Sequence, residues 1–412
     1  MGKIGINLES VKIKNRQAIL KMLNNNGAMS RKDIAQSINL TSAAVTQLTT
    51  ELIEEGIIVE KGEMSEAGRV GRKKILVDMD YNCRSICSIT IEKYTSWITL
   101  ANIKGKVIDS ISITTNIHVD PETFLLEVTT EAKKLFDKND IDLSNMLGIG
   151  VSLRGVVNKE SGVSYSAYGI WEEVVEVKKI IQSQIKTNVI VENNMKAFAQ
   201  GEIIYGLGKQ FQRLLFLKWY PGVGSAIVID GEVYNKDSNK VPEIGHCIVE
   251  SNGERCKCGR RGCLETIASM TSIINSITRI YSKSATPILY RETQGDASRI
   301  HDVLLKNIVN NELEMDTYVL EIILKAAEQI ARTIVNTITM LATDKVVIYG
   351  EIFQNDIIKN AFVSYCKKYD ASYDEEYLLQ SELCGKFFYI GGIALVVNEL
   401  FFNVGGNTVE IM

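Results

Sequence analysis

One histidine and three cysteines within eighteen positions constrain the fold of this chain more than any other feature of its sequence. The whole chain has only three histidines and eight cysteines, so chance clustering is improbable. One imidazole and three thiolates match the tetrahedral, soft-ligand preference of zinc, and four protein ligands leave no position for a catalytic water. The pattern predicts a structural zinc site, with incidental loop cysteines as the alternative. The four ligands are His246, Cys256, Cys258 and Cys263.

The length and composition of the chain predict several domains and a cytoplasmic location. At 412 residues the chain is too long for one ordinary hydrophobic core, so two or three domains are expected. No apolar run reaches the length that spans a bilayer, and the N-terminus lacks a signal-peptide pattern, so no membrane association is expected. The remaining five cysteines show no disulfide-scaffold spacing, which fits a reducing compartment.

The charge is distributed unevenly along the chain. Residues 1–75 hold 12 Lys and Arg against 8 Asp and Glu, a balance of +4, although the whole chain has a net charge of −4. A basic first segment on an acidic body is typical of a small polyanion-binding module attached to a different domain.

The first sixty residues carry three successive helical patterns. The first covers Asn15 to Leu23, and Ser30 is placed as the N-cap of a short second helix that extends to Ile38. Thr41 caps a third helix, and Gly56 ends it. The buried stripe of the third helix is predicted to be Val45, Leu48, Leu52 and Ile53. Two short helices joined by a tight turn predict a helix-turn-helix.

The outward face of the third helix is predicted to contact DNA. Small side chains allow close approach to the floor of the major groove, and Gln47 can pair with adenine through two hydrogen bonds. The candidate DNA contacts are Arg31 ahead of this helix and Ser42, Ala43, Thr46, Gln47 and Thr50 on it. A plain three-helix bundle with a polar face is the alternative.

A predicted β-hairpin after the third helix favours DNA binding. Its strands are Ile57 to Glu60 and Lys74 to Val77, and its tip contains Gly-Arg pairs. Such a tip forms a wing that can enter a minor groove, where the negative potential is concentrated. The candidate contacts in the wing are Arg69, Arg72 and Lys73. The predicted partner of this segment is a double-stranded DNA operator.

From about Tyr81 onward, strands alternate with helices. Three strands, a helix, a buried strand at 148–152, a helix and a strand at 189–191 form one half of the pattern, which then repeats after Leu214. Two such halves in tandem indicate an α/β protein with two lobes and a cleft between them.

The residues around the cysteines resemble a known family signature. Glu243-Ile244-Gly245-His246, followed by Cys256-x-Cys258-Gly259-x-x-Gly262-Cys263-x-Glu265, is similar to the signature of the ROK family, which comprises repressors, open reading frames and sugar kinases. With the winged helix in front, the chain resembles the repressor branch, whose members respond to xylose, glucose or N-acetylglucosamine. The resemblance implies a winged helix-turn-helix followed by a two-lobed, actin-like sugar-kinase fold.

The resemblance also implies a domain plan and a sugar ligand. The winged helix is expected over residues 1–80, the first lobe over 81–192 with a C-terminal helix at 391–412, and the second lobe over 193–390 with the zinc loop and an oligomerisation surface. A homodimer or homotetramer is expected, with a sugar or sugar derivative bound between the lobes. The implied sugar contacts are Gly155, Asn193, Asn194, Glu243, His246 and Glu265. Solvated loop acids are the alternative for the two glutamates.

Four departures from the kinase pattern predict that phosphoryl transfer is lost and that no ATP is bound. Asn194 stands where kinases have an aspartate base, and an amide cannot accept the hydroxyl proton. The first phosphate loop, Asp-x-Gly-Gly-Thr in kinases, reads Ile91-Glu92-Lys93-Tyr94-Thr95 here. The second loop, Tyr220 to Ala226, keeps two glycines, and Glu351 replaces a glycine near the adenosine turn.

Three functions therefore remain open. The leading one is a sugar-responsive transcriptional regulator, a repressor of carbohydrate uptake or catabolism genes such as those for xylose. The others are an active ROK sugar kinase with a regulatory role, and a regulator controlled by a protein partner with a vestigial sugar site. Arg154 and Tyr168 replace the usual residues of the sugar loops, and they either favour an anionic or modified sugar or simply pack.

Overall fold

The structure is a computed structural model, and it describes residues 7–64, 74–235, 243–311 and 314–411. Its internal contacts divide the chain into two compact units. One contains Met1–Lys209 and Gly385–Met412, and the other contains Gln210–Lys236 and Lys240–Cys384. The first unit thus continues past the boundary expected at residue 192, and it includes the C-terminal segment.

The N-terminal part of the first unit is a winged helix, as the sequence predicts. The side chains of Ser30 and Thr41 cap the second and third helices by accepting hydrogen bonds from the backbone N–H groups of Asp33 and Ala44, each at 3.2 Å. The strands form an antiparallel sheet in the order β1-β3-β2. The elements are α1 (Leu8–Asn26), β1 (Met29–Ser30), α2 (Arg31–Ser37), α3 (Ser42–Glu54), β2 (Ile58–Met64) and β3 (Lys74–Met79).

The buried stripe of α3 differs from the predicted one at a single position. Val45, Leu48 and Leu52 are buried, but Ile53 is only partly buried and Thr49 takes its place in the interior. The Thr49 hydroxyl donates to the backbone carbonyl of Val45 at 2.8 Å, so its polar atom is satisfied within the helix.

The rest of the first unit is an α/β lobe built on a mixed five-stranded sheet in the order β10-β7-β4-β5-β6. Strands β10, β7 and β4 are parallel, and β5 and β6 continue the sheet antiparallel. The elements are β4 (Ser85–Ile91), β5 (Thr95–Asn102), β6 (Val107–Thr114), α4 (Pro121–Lys138), β7 (Met146–Leu153), β8 (Val156–Asn158), β9 (Val163–Ser166), α5 (Val177–Gln184), β10 (Val189–Asn193) and α6 (Asn194–Tyr205).

The second unit has a sheet of its own in the order β13-β12-β11-β14-β15, in which β11, β14 and β15 are parallel. The long helix α11 is buried along one face. The elements are β11 (Leu214–Trp219), β12 (Val223–Ile229), β13 (Glu232–Val233), α7 (Glu265–Ala268), α8 (Met270–Ile280), α9 (Pro287–Glu292), α10 (Ile300–Val309), α11 (Thr317–Leu341), β14 (Lys345–Tyr349), α12 (Asp356–Tyr369) and β15 (Leu378–Gln380).

The chain then returns to the first unit as a core helix, α13 (Phe387–Val397), followed by a π-helical turn at Asn398–Phe402. A Cβ atom on Gly150 would lie 1.9 Å from the carbonyl oxygen of Gly392, so the helix backbone touches the sheet directly. Larger residues at either position would separate the two elements.

Among the described residues, one helical stretch is long and apolar enough to cross a membrane by length and composition alone. It is Cys384–Phe402, and 67% of its apolar window is buried inside the protein, where it packs on β4, β7 and α6. The expectation that no apolar run reaches this length is therefore wrong. The burial is typical of a core helix.

Helix α1 packs on the lobe of its own unit at two points. Arg16, only 3% exposed, donates through Nε to the carbonyl of Gly405 at 2.7 Å and through Nη1 to Glu55 Oε1 at 2.7 Å. Asn24 Nδ2 donates to the carbonyl of Ile204 at 3.0 Å, at the C-terminal end of α6. The winged helix is thus hydrogen-bonded to both the C-terminal segment and α6.

Candidate functional site

The predicted zinc ligands come together in the second unit. Their ligand atoms all lie within 4.8 Å of one another. The Sγ atoms of Cys258 and Cys263 are 3.6 Å apart, and Cys256 Sγ is 3.6 Å from His246 Nδ1. Two sulfurs bound to one zinc ion at tetrahedral angles are about 3.8 Å apart, so the four side chains fit that ion.

The loop that carries the candidate metal ligands is shaped by backbone hydrogen bonds. The N–H of Val249 donates to the Gly262 carbonyl at 2.8 Å, and the N–H of Cys256 donates to the Arg260 carbonyl at 2.8 Å. Gly262 has a φ of +69°, and a Cβ atom there would lie 1.6 Å from the carbonyl oxygen of Glu250. Only glycine fits this position, which sets Cys263 against the other ligands.

Burial disfavours the charged form of one candidate ligand. Cys263 is fully buried, and burial raises the pKa of its thiol to about 12. A bound divalent cation would oppose this effect, because a coordinating cation stabilises the thiolate. The imidazole of His246 turns Nδ1 toward Cys256 and Nε2 toward Glu243 Oε2, which is 3.6 Å away. Glu243 thus lies next to the ring nitrogen that faces away from Cys256, just beyond hydrogen-bond distance.

Glu265 is held by the loop that the resemblance aligns with the second phosphate loop. Its Oε2 accepts a hydrogen bond from the Val223 N–H at 2.9 Å. A Cβ atom on Gly222 would lie 2.6 Å from Glu265 Oε1, so the carboxylate lies directly against this loop. The glutamate is only partly buried, yet it is fixed in place.

The other predicted sugar contacts lie in the first unit. Asn193 caps α6, since its Oδ1 accepts from the N–H groups of Met195 and Lys196, and its Nδ2 donates to the Gly155 carbonyl at 2.8 Å. This bond holds Gly155 against the start of α6. Gly155 is buried, with a φ of +103°. Asn193 thus positions its neighbours through both polar atoms.

A residue that the sequence did not single out as a ligand contact meets Asn194. The Nδ2 of Asn194 donates to Glu92 Oε1 at 2.7 Å, although the residues are 102 positions apart. Their proximity depends on the pairing of β4 and β10 with β7. The sequence signal for this contact is that both residues lie at strand ends on one edge of the sheet.

The predicted DNA-contact face of α3 is open to solvent. Ser42, Ala43, Thr46, Gln47 and Thr50 are all exposed, while the opposite face of the helix is buried. Gln47 Nε2 donates to Glu51 Oε1 at 3.3 Å, a weak surface bond that DNA can replace.

The other predicted DNA contacts differ in their surroundings. Arg31 donates through Nε to Thr49 Oγ1 at 3.0 Å and through Nη2 to Glu60 Oε1 at 2.9 Å, so its guanidinium joins α2, α3 and β2. Arg69, Arg72 and Lys73 lie outside the described residues.

Sequence comparisons place this architecture among known proteins. The ROK family model matches residues 99–397, and a winged helix-turn-helix DNA-binding model matches residues 14–59. The chain is 26% identical over 392 residues to the xylose repressor of Caldicellulosiruptor bescii, which covers 94% of this chain and 96% of that protein. It is 26% identical over 364 residues to the DNA-binding transcriptional dual regulator NagC of Escherichia coli. That match covers 87% of this chain and 86% of NagC.

Solved structures agree with the fold. A ROK family transcriptional regulator described as a homolog of the E. coli MLC protein superimposes with a TM-score of 0.79 at 22% identity, over 96% of this chain and 98% of that one. A ROK family glucokinase from Streptomyces griseus superimposes with a TM-score of 0.63 at 18% identity, over 76% of this chain and 98% of the glucokinase. The predicted fold class and family are thus confirmed, and relatives along almost the whole chain are DNA-binding repressors and regulators. This protein belongs to the ROK family and carries a winged helix-turn-helix ahead of its ROK domain.

Proposed function

We propose that the protein is a sugar-responsive transcriptional regulator, a repressor of genes for carbohydrate uptake or catabolism. One observation carries the proposal. All five of the DNA contacts predicted on α3 are exposed, in a chain that also contains a ROK domain. One relative is named a xylose repressor, another at 26% identity is named an N-acetylglucosamine repressor, and a structural neighbour is a glucokinase, so these three sugars are the first candidates for the ligand. The protein is expected to act in the cytoplasm, where its DNA is.

DNA binding is proposed to divide between α3 and the wing. Gln47 and its small neighbours on α3 read base edges in the major groove, while Arg69, Arg72 and Lys73 contact the minor groove and phosphates. Arg31 supports this surface by joining α2 to α3 and β2. A homodimer or homotetramer matches two half-sites on an operator, since half-site spacing mirrors the two-fold symmetry of the protein.

Gly155, Asn194, Glu243, His246 and Glu265 remain proposed sugar contacts, and Asn193 supports them. Carboxylates and amides suit a polyhydroxylated ligand, because each carboxylate can accept more than one hydroxyl hydrogen bond. The bond from Val223 fixes the carboxylate of Glu265, which reduces the entropy lost on binding.

The metal is proposed to be a structural zinc held by His246, Cys256, Cys258 and Cys263. The zinc would supply rigidity only, because four protein ligands fill a tetrahedral site. Glu243 Oε2 and His246 Nε2 are 3.6 Å apart, so an ion that fixes the imidazole also fixes the surroundings of Glu243.

The ROK domain is proposed to lack phosphoryl transfer. Asn194 replaces the base, and its amide is hydrogen-bonded to the carboxylate of Glu92. In the second phosphate loop, the N–H of Tyr220 donates to Gly222 and the N–H of Val223 donates to Glu265. A phosphate cradle needs such amides to be directed at the anion, so these pairings support the absence of an ATP site.

A mobility-shift titration tests the proposal. The full chain, bound to DNA from upstream of its own gene, is titrated with D-xylose, D-glucose and N-acetylglucosamine. Release or tightening at millimolar sugar supports ligand gating, and indifference to every sugar contradicts it. Coupled ATP-consumption measurements with the same sugars test the kinase alternative, and turnover by the wild-type chain would establish it.

The partner-controlled alternative has a separate test. Titration calorimetry compares the wild type with Glu243→Ala for any sugar that binds. A loss of binding in the variant places the sugar at the predicted site, whereas an intact DNA response without sugar binding favours control by a protein partner.

A further inference from the structure

Three neighbouring strands of the first unit end in register. Asn193 of β10 pairs with Leu153 of β7, and Ile91 of β4 pairs with the same Leu153. All three strands are parallel, so the residues that follow them share one edge of the sheet. Ligands of open α/β sheets bind at the carboxyl ends of such strands. The three following residues are Asn194, Arg154 and Glu92.

The backbone of Glu92 is held in place by buried hydroxyl groups. Its carbonyl accepts a hydrogen bond from Thr115 Oγ1 at 2.7 Å, and that hydroxyl is 2.8 Å from Ser96 Oγ. Ser96 and Thr115 are both buried, so the chain at Glu92 is held by interior groups. A partly exposed side chain on a fixed backbone is pre-organised for binding.

The pair of Asn194 and Glu92 is rich in hydrogen-bond acceptors. Because Asn194 directs an N–H toward Glu92 at 2.7 Å, its Oδ1 faces away as an acceptor. An ionised carboxylate only accepts hydrogen bonds, and its two oxygens can take several. The complement of this surface is a hydrogen-bond donor such as a hydroxyl group. A phosphate monoester brings acceptors and negative charge, which the pair disfavours.

We propose that Glu92 is a specificity-determining ligand contact that selects an uncharged sugar through a hydroxyl group and rejects the phosphate monoester of that sugar. The inference rests on the proposed function, since it takes the ligand to be a sugar. Arg154, which follows the middle strand β7, has the opposite effect on selectivity, because its guanidinium group attracts phosphate.

The test is titration calorimetry on the full chain, with D-glucose, N-acetylglucosamine, their 6-phosphates and D-xylose as probes. The variants are Glu92→Gln, which keeps the size and an acceptor for Asn194, and Glu92→Asp, which keeps the charge. Glu122→Gln, an exposed carboxylate on α4, is the control. Melting temperatures without sugar check that each variant is folded.

In the wild type, we expect a neutral sugar to bind more tightly than its phosphate. Glu92→Gln is expected to narrow that preference by about 10- to 100-fold, because a hydrogen bond to a charged group is worth more than a neutral one. Glu92→Asp is expected to bind the neutral sugar more weakly and still reject the phosphate. The control is expected to match the wild type.

The contradicting outcomes are distinct. If a neutral sugar binds and Glu92→Gln keeps the same preference, the role of Glu92 is wrong while the proposed function stands. A wild-type preference for the phosphate also overturns the role, and it assigns recognition to Arg154. If no probe binds, the sugar-sensing function itself fails, and the inference fails with it.

Discussion

Arg16 and Gly405 are 389 positions apart in the sequence, yet the guanidinium Nε of the first lies 2.7 Å from the carbonyl oxygen of the second. The same guanidinium binds Glu55 directly after α3, the helix with the predicted DNA face. The buried guanidinium of Arg16 therefore connects the winged helix to the C-terminal segment of the chain.

Replacing Arg16 with leucine is expected to lower the free energy of unfolding by about 1–3 kcal/mol, because the buried carbonyl of Gly405 loses its donor. Urea denaturation of the full chain measures this change. Lys14→Leu, at an exposed position of the same helix, is the control and should leave stability nearly unchanged. Equal stability of the two variants would show that the Arg16 contact contributes little.

Removing one zinc ligand is expected to release the metal. For Cys263→Ser we expect less than one zinc per chain by elemental analysis and a lower melting temperature, because metal binding stabilises the folded loop. Cys247→Ser is the matched control, since Cys247 is exposed, next to His246 and outside the cluster. Retention of zinc by Cys263→Ser would contradict the ligand assignment.

The two parts of the DNA surface should respond differently to substitution. Gln47→Ala is expected to weaken specific binding by about 1–3 kcal/mol with little effect on non-specific DNA. Arg69→Ala and Arg72→Ala should weaken both, and each should reduce the slope of log K against log salt by about 1. Fluorescence anisotropy at several salt concentrations separates these effects. Gln184→Ala, an exposed glutamine of α5, is the control; an effect equal to that of Gln47→Ala would contradict the assignment.

The stability of the first unit should depend on the protonation of Glu192. Burial raises the pKa of Glu192 from 4.5 to about 7, against the opposing effect of Lys196 and Lys159, while Glu399 adds to the increase. The folded chain therefore holds this proton more tightly than the unfolded chain. Its stabilising effect is complete below about pH 4.5 and declines as the pH rises to about 7, by up to about 3 kcal/mol.

Glu192→Gln should remove this contribution to the pH dependence. Urea denaturation from pH 5 to pH 8 checks it: relative to wild type, the variant should gain stability as the pH rises. Glu122→Gln, which changes an exposed carboxylate, should follow the wild-type curve. Parallel curves for Glu192→Gln and wild type would show that the carboxyl titrates alike in both states.

The sequence predicted features that depend on local pattern. The caps at Ser30 and Thr41, the strand at Lys345–Tyr349 and the cluster of one histidine and three cysteines all follow from residue types at short spacing. The contacts of Arg16 with Gly405 and of Asn194 with Glu92 depend on the assembled sheet and on the returning C-terminal segment, which no local periodicity encodes. The bond from Asn193 Nδ2 to the Gly155 carbonyl is hidden for the same reason, since the two residues are 38 positions apart.

Helix α6 links Asn194 to the first helix of the winged helix. It begins at Asn194 and ends at Tyr205, and the carbonyl of Ile204 near its end is bound by Asn24 of α1. Twelve residues make a rod about 18 Å long, stiff because every turn is hydrogen-bonded. A tilt of about 10° pivoting at Asn194 would move its far end by about 3 Å. Helix α6 could therefore act as a lever arm: a small rotation at Asn194, a proposed sugar contact, would displace the end bound to α1 by about the rise of two helical residues.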